Sequence, residues 1–234
     1  MIGDPDTLRD WGGGVKLRYF VDSETIEVTS VEGQTFTFET PGIGKGYPFS
    51  TTASYEIKDN QGEVTQELRV WHPYVEGVYL SYTRRGDFVN REAISGQAFA
   101  EYFAFGIPTQ DLPESGTANY FTDVQGSVEA SGRYHSLYEH TTATFGVNFE
   151  TGSISTALHL VGEVSATGEV SDFGDFAGTG ALLGGGPGFK GNFADNSGEF
   201  SGAFFGPGAA EFGYYFLFDT GIFEAEGDVF GRKK

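Results

Sequence analysis

The sequence predicts an all-β protein: an eight-stranded antiparallel β-barrel over residues 94–234, preceded by a β-rich handle over residues 1–93. Three observations carry this. Aromatic residues make up 16% of the chain and glycine 36 of its 234 residues, against a usual glycine share of about 7%. Rings favour strands and glycine favours turns, and neither favours helix. The stretch Ser197–Lys234 then holds three aromatic-rich runs of strand length, Glu199–Phe205, Glu211–Phe218 and Ile222–Phe230. Gly206-Pro207-Gly208 and Asp219-Thr220-Gly221 divide them, and both are turn chemistry. Large rings beside small residues on tightly turned strands suit a closed, curved sheet.

The first part reads as six strands without a repeated helix signal. Asp6–Trp11 offers one helical turn. Val15–Val21 alternates as a strand does, and Thr25–Thr29 with Thr35–Glu39 reads as a hairpin turning at Glu32-Gly33. Thr40–Ser50 (TPGIGKGYPFS) is a long Pro/Gly-rich contact loop. Ala53–Lys58 and Thr65–Trp71 flank a turn at Asn60-Gln61-Gly62, and Gly77–Arg84 is a sixth strand. Polar Asp87–Ser95 marks the boundary.

Beyond it, eight strands are expected: Gln97–Phe105, Gly116–Val128, Thr141–Phe149, Ser153–Val161, Phe173–Leu183 and the three terminal runs. Thr151-Gly152 closes a tight hairpin, residues 184–188 form a loop, and Phe189–Phe193 is a short extra strand. Eight antiparallel strands with short turns form a small barrel filled by its own side chains.

Charge and composition exclude several functions. The net charge is −19, with −6 on residues 1–95 and −13 on the rest. Such a surface repels phosphate backbones and anionic lipid, so nucleic-acid binding is not expected. It suits solubility outside the cell, or a basic partner. With no cysteine, disulfides, thiol catalysis and cysteine-based zinc sites are out. No run approaches the roughly 20 apolar residues of a membrane helix, and the acidic, weakly apolar strand faces argue against an outer-membrane barrel. The start, MIGDPDTLRDW, is acidic and polar. It is no signal peptide, so an exported protein would need an export segment outside this sequence.

Four pieces, in order, carry a resemblance: PTQDLPESGTANY (Pro108–Tyr120) followed by Gly126, ATFGVNFETGSIS (Ala143–Ser155), GAFFGPGAAEFGYYF (Gly202–Phe216) and GDVFGRKK (Gly227–Lys234). Together they resemble the β-barrel domain of the transferrin-binding protein B family, from Ile94 to the end. The resemblance implies a non-enzymatic, exported, cell-surface binding protein of a Gram-negative bacterium. Its relatives capture host iron carriers or haem, and a translocator that recognises the barrel is an implied partner. The lipid-bearing cysteine of surface lipoproteins is absent here.

Ligand capture suggests two sets of residues. For haem, His72 in RVWHPYVEG sits among aromatics at a strand end. Arg133, Tyr134, His135, Tyr138 and His140 lie in a loop, GRYHSLYEH, between two barrel strands. Histidine and tyrosine ligate haem iron, and arginine pairs with a propionate. For a protein partner, Tyr47, Pro48 and Phe49 in the glycine-rich loop are the candidates. The other reading of each is an ordinary surface or strand residue. Paired carboxylates Asp172/Asp175 and Glu224/Glu226 read as a solvated face of an acidic chain. No catalytic motif is present, and no metal site is assigned. The expected function is haem or iron capture; the alternative is a structural or protein–protein interaction module of the cell surface or a larger membrane assembly, with no small ligand.

Overall fold

The computed structural model describes residues 16–20, 23, 25–30, 32–39, 53–92, 99–137, 139–184, 186–194 and 197–234. The expected helical turn at Asp6–Trp11 and the loop Thr40–Ser50 lie outside the described residues. Those described are β throughout, with no α-helix among them.

The chain divides into two compact units. In the first, β1 (Lys16–Phe20), β2 (Thr25–Thr29) and β3 (Thr35–Glu39) form an antiparallel meander. A second sheet has the order β4 (Ala53–Lys58), β5 (Val64–Trp71), β8 (Thr83–Asn90), β9 (Phe99–Gly106). The two sheets share a core. Ile26, Val28, Phe38, Leu68, Val70 and Phe88 are buried, and the Phe88 ring meets those of Phe36 and Phe38 at 5.3 and 6.2 Å. Around it runs a polar chain: Thr65 Oγ1 donates to Gln66, Gln66 Nε2 to Asn90 Oδ1, and Asn90 Nδ2 to Gln34.

The second unit takes Pro73–Thr83 and Ala104–Lys234. Residues 73–83 carry two short strands, β6 (Tyr74–Val75) and β7 (Val78–Tyr79). The rest is a closed antiparallel ring. It runs from β10 (Thr117–Ala130) through β11 (Arg133–Leu137) and β12 (Thr142–Asn148), which share one place, to β13 (Ser153–Val164), β14 (Glu169–Leu182) and β15 (Gly188–Phe193). It continues through β16 (Gly198–Phe205), β17 (Glu211–Asp219) and β18 (Phe223–Lys233). β18 closes the ring by pairing with β10 from Tyr120↔Lys233 to Ala130↔Phe223. The places number eight, as expected, but three assignments change. The run expected at Gln97–Phe105 is β9 and joins the sheet of β4, β5 and β8, because alternation marks a strand without saying which sheet it enters. Phe189–Phe193 is a full barrel strand. Arg133–Leu137, expected as a loop, is β11.

The barrel interior is packed with rings, and glycine makes room for them. Across neighbouring strands Phe212 faces Gly231, Phe216 faces Gly227, Tyr214 faces Gly202, Phe218 faces Gly198 and Phe200 faces Gly191. A Cβ at Gly231 would fall against the Phe212 ring, and one at Gly227 would stand 2.8 Å from Phe216 Cζ. Each ring thus lies over a backbone that has no side chain of its own. Phe145 stacks on Phe212 at 3.9 Å. The two buried phenols are satisfied: Tyr214 shares a hydrogen bond with Thr156 (2.8 Å), and Tyr120 donates to the Ala209 carbonyl. Both phenol pKa values are pushed up by burial.

Candidate functional site: an anchored aromatic hairpin

Tyr74-Val75-Glu76-Gly77-Val78-Tyr79 reads the same from either end around Glu-Gly. It folds as that symmetry suggests, with Tyr74 opposite Tyr79 and Val75 opposite Val78. Glu76 (φ 46°) and Gly77 (φ 79°) both take the left-handed conformation, as a two-residue turn matching strand twist requires. Alternation puts Val75 and Leu80 in the core, both fully buried. The Tyr74 and Tyr79 rings lie on the outer side, 4.7 Å apart. They are 52% and 59% exposed, and Val78 47%.

The hairpin is held at its base. The Glu211 carboxylate accepts hydrogen bonds from the backbone N–H of Ser81 (2.6 Å) and Tyr82 (2.9 Å) and from Thr83 Oγ1 (2.9 Å). Leu80 N–H donates to the Pro73 carbonyl. Arg232 donates to the carbonyls of Val75 and Glu76. The Tyr82 ring lies on Gly206, whose φ of +72° and missing Cβ leave it the space. The FFGPGAAE segment is therefore a receiver for residues 73–83: Gly206 seats the ring and Glu211 collects the amides. Aromatic side chains on a rigid support lose little entropy when a partner covers them, which is why tyrosine is frequent at protein–protein contacts.

Of the residues expected to bind haem, Tyr134 and His135 take opposite faces of one strand. Alternation on β11 sends Tyr134 outward, 65% exposed, and His135 inward, 5% exposed. His135 sits across from Val128 and edge-on to Phe173 at 5.2 Å, and its Nδ1 has no hydrogen-bond partner. Arg133 pairs with Glu169 at 2.9 Å. His140 is exposed after Glu139, a residue with φ 33°. His72 is half-buried beyond the end of β5, in the first unit. Tyr138 lies outside the described residues, as do Tyr47, Pro48 and Phe49. Among the described residues no cluster of three or more histidines and carboxylates is arranged to hold a metal ion.

No family model and no curated protein matches this chain in sequence. In structure it is similar to a double mutant of the vaccine antigen transferrin-binding protein B from Haemophilus parasuis Hp5. The TM-score is 0.53 at 16% identity, over 93% of this chain and 42% of that one. It is also similar to intact Ap-TbpB with its N and C lobes, with a TM-score of 0.52 at 18% identity, over 93% and 43%. The chain thus spans about two-fifths of the length of these proteins. It has a transferrin-binding protein B-like fold, all-β with an eight-membered barrel.

Proposed function

We propose that this chain is a non-enzymatic binding protein of bacterial iron acquisition, displayed at the cell surface, that captures an iron-carrying host protein by surface contact. The filled barrel carries this reading. Its lumen is occupied by Phe145, Phe200, Phe212, Tyr214, Phe216 and Phe218, all buried, so the barrel is a support and not a cup. Recognition then falls to what the support displays, and the Tyr74–Tyr79 hairpin is an exposed aromatic feature anchored to it. The fold it shares belongs to proteins whose names record transferrin binding. Haem is the other form in which iron could be taken. The opposite facing of Tyr134 and His135, and the Arg133–Glu169 pair, favour the protein ligand over it.

The test is capture on a sensor surface. Immobilised chain is exposed to iron-loaded transferrins and lactoferrins from several mammals. Saturable binding of at least one is expected, and no binding by any would overturn the proposal. A haem titration read from about 350 to 700 nm runs beside it. A flat result is expected. A Soret band saturating at one equivalent, lost on His140→Ala or Tyr134→Phe, would replace the protein ligand with haem.

A further inference from the structure

The barrel ladder is interrupted at a seam between β10 and the β11–β12 side. β10 pairs with β12 only over Thr117–Asn119 and with β11 only over Gly126–Ala130. Between the pairs Asn119↔Gly146 and Gly126↔Leu137, six residues of β10 (120–125) face eight (138–145) on the β11–β12 side. Against β13 the excess is again two: residues 138–141 lie between pairs that leave only residues 160 and 161 of β13. Two surplus residues break the ladder, as a bulge does, and Glu139, with its positive φ, lies in that stretch.

The interruption is pinned. Thr122 Oγ1 donates to the Ala143 carbonyl at 2.6 Å, across the seam. Thr141 Oγ1 donates to the Val161 carbonyl and accepts from its N–H, standing in for the lost ladder bonds. What results is a cavity of about 740 Å³ lined mainly by polar groups. Asn119, Thr142, Thr144 and Ser155 present amide and hydroxyl groups to it. Gly146 leaves its floor open where Asn119 Oδ1 and Ser155 Oγ converge, each just over 3 Å from where a Cβ would stand. Glu76, Asp123 and Glu139 also line it, against one ammonium, that of Lys234, so anions are repelled. The Phe121 ring is covered by Arg232 and Lys234, at 4.6 and 5.2 Å, which removes it as an apolar plate.

We propose that this seam is a binding site for a neutral, hydroxyl-rich ligand, an oligosaccharide, either free or carried on a glycoprotein. A cleft with hydrogen-bond donors and acceptors on both walls fits a sugar's hydroxyls. This site is independent of the iron-carrier reading and of the hairpin tyrosines.

The test uses the full chain and backbone-amide NMR with free mannose, galactose and N-acetylglucosamine oligosaccharides at up to about 10 mM, the range of weak polar recognition. At least one is expected to shift residues 119–123, 142–146 and 155–157 in a saturable way. Asn119→Ala with Ser155→Ala should weaken that binding about tenfold, one lost hydrogen bond at each position, with the thermal midpoint unchanged. A second arm compares capture of ribonuclease B, which carries a neutral glycan, with glycan-free ribonuclease A. Capture of B alone assigns the glycoprotein source; shifts by free sugars with no capture assign the free one. Equal capture of A and B, no shift from any sugar, or binding untouched by the double variant would overturn the proposal.

Discussion

The aromatic lumen of the barrel and the four-stranded sheet of the first unit bury different chemistry. The barrel interior is ring upon ring, with Tyr214 and Tyr120 satisfied at their single polar atoms. The first unit's four-stranded sheet buries Arg84, Glu67, Asp87, Gln66 and Asn90 among its core residues. There Glu67 accepts from Nε and Nη2 of Arg69 at 2.7 and 2.6 Å, and Arg85 lies over the rings of Trp71 and Tyr102. Asp87 is 3.5 Å from Arg85, with one oxygen lacking a hydrogen bond. Apolar packing fixes shape at any ordinary pH. A buried charge network makes stability depend on protonation.

The largest expected effect lies in the barrel. Phe212→Ala removes a ring stacked on Phe145 and leaves the space over Gly231 empty, which should cost about 3–5 kcal/mol in urea unfolding. A loss below about 1 kcal/mol would mean that the aromatic–glycine pairs do not hold the barrel. Next comes Asp87. Burial raises its pKa from 3.8 to about 6, with Arg85 and Arg69 opposing. The folded state therefore holds this proton more tightly than the unfolded chain. Its contribution is fully present below about pH 4 and is lost as pH rises to about 6. The loss is of order 2–3 kcal/mol, and Asp87→Asn should abolish it. Glu67 slopes the opposite way, since its hydrogen bond from Arg69 lowers its pKa, so the difference between wild type and variant is the quantity to plot. A difference flat from pH 4 to 7 would erase the contrast between the units.

Gly227→Ala probes the barrel from its other side. The added methyl meets Phe216 and the Gln125 carbonyl and should cost about 1–3 kcal/mol by overpacking. Smallest is Thr122→Val, which cuts the side-chain bond across the seam. About 1 kcal/mol is expected, with faster amide exchange confined to residues 120–125 and 142–145. Exchange that rises evenly around the ring would show that the seam is not a separate weak place.

Much of the barrel was legible because its code is local. A strand such as Glu211–Phe218 declares its inward face by alternation, and in-register glycines complete the pattern. Three features depend on what alternation does not hold. The place of β9 is a matter of which sheet it enters, and its aromatics alternate like those of a barrel strand. The seam arises from a two-residue excess that exists only once three strands are set in register. β8 runs on through Asp87 to Asn90, where the sequence reads as the start of a polar boundary until the network burying Asp87 is seen. Of the site, the histidines were found by type, but strand periodicity sends Tyr134 and His135 to opposite faces. The hairpin had a signal that was available, the mirrored Tyr-Val around Glu76-Gly77, which a continuous strand at Gly77–Arg84 overlooks.

The most direct test of the proposed capture is to compare binding of an iron-loaded transferrin or lactoferrin by wild-type chain and by Tyr74→Ala with Tyr79→Ala. Both rings point away from the core, so the variant should keep its circular dichroism and thermal midpoint. Loss of affinity of about thirtyfold or more, the size of one interface hot spot, is the result expected. Unchanged affinity in a folded variant would contradict the account and move recognition off the hairpin.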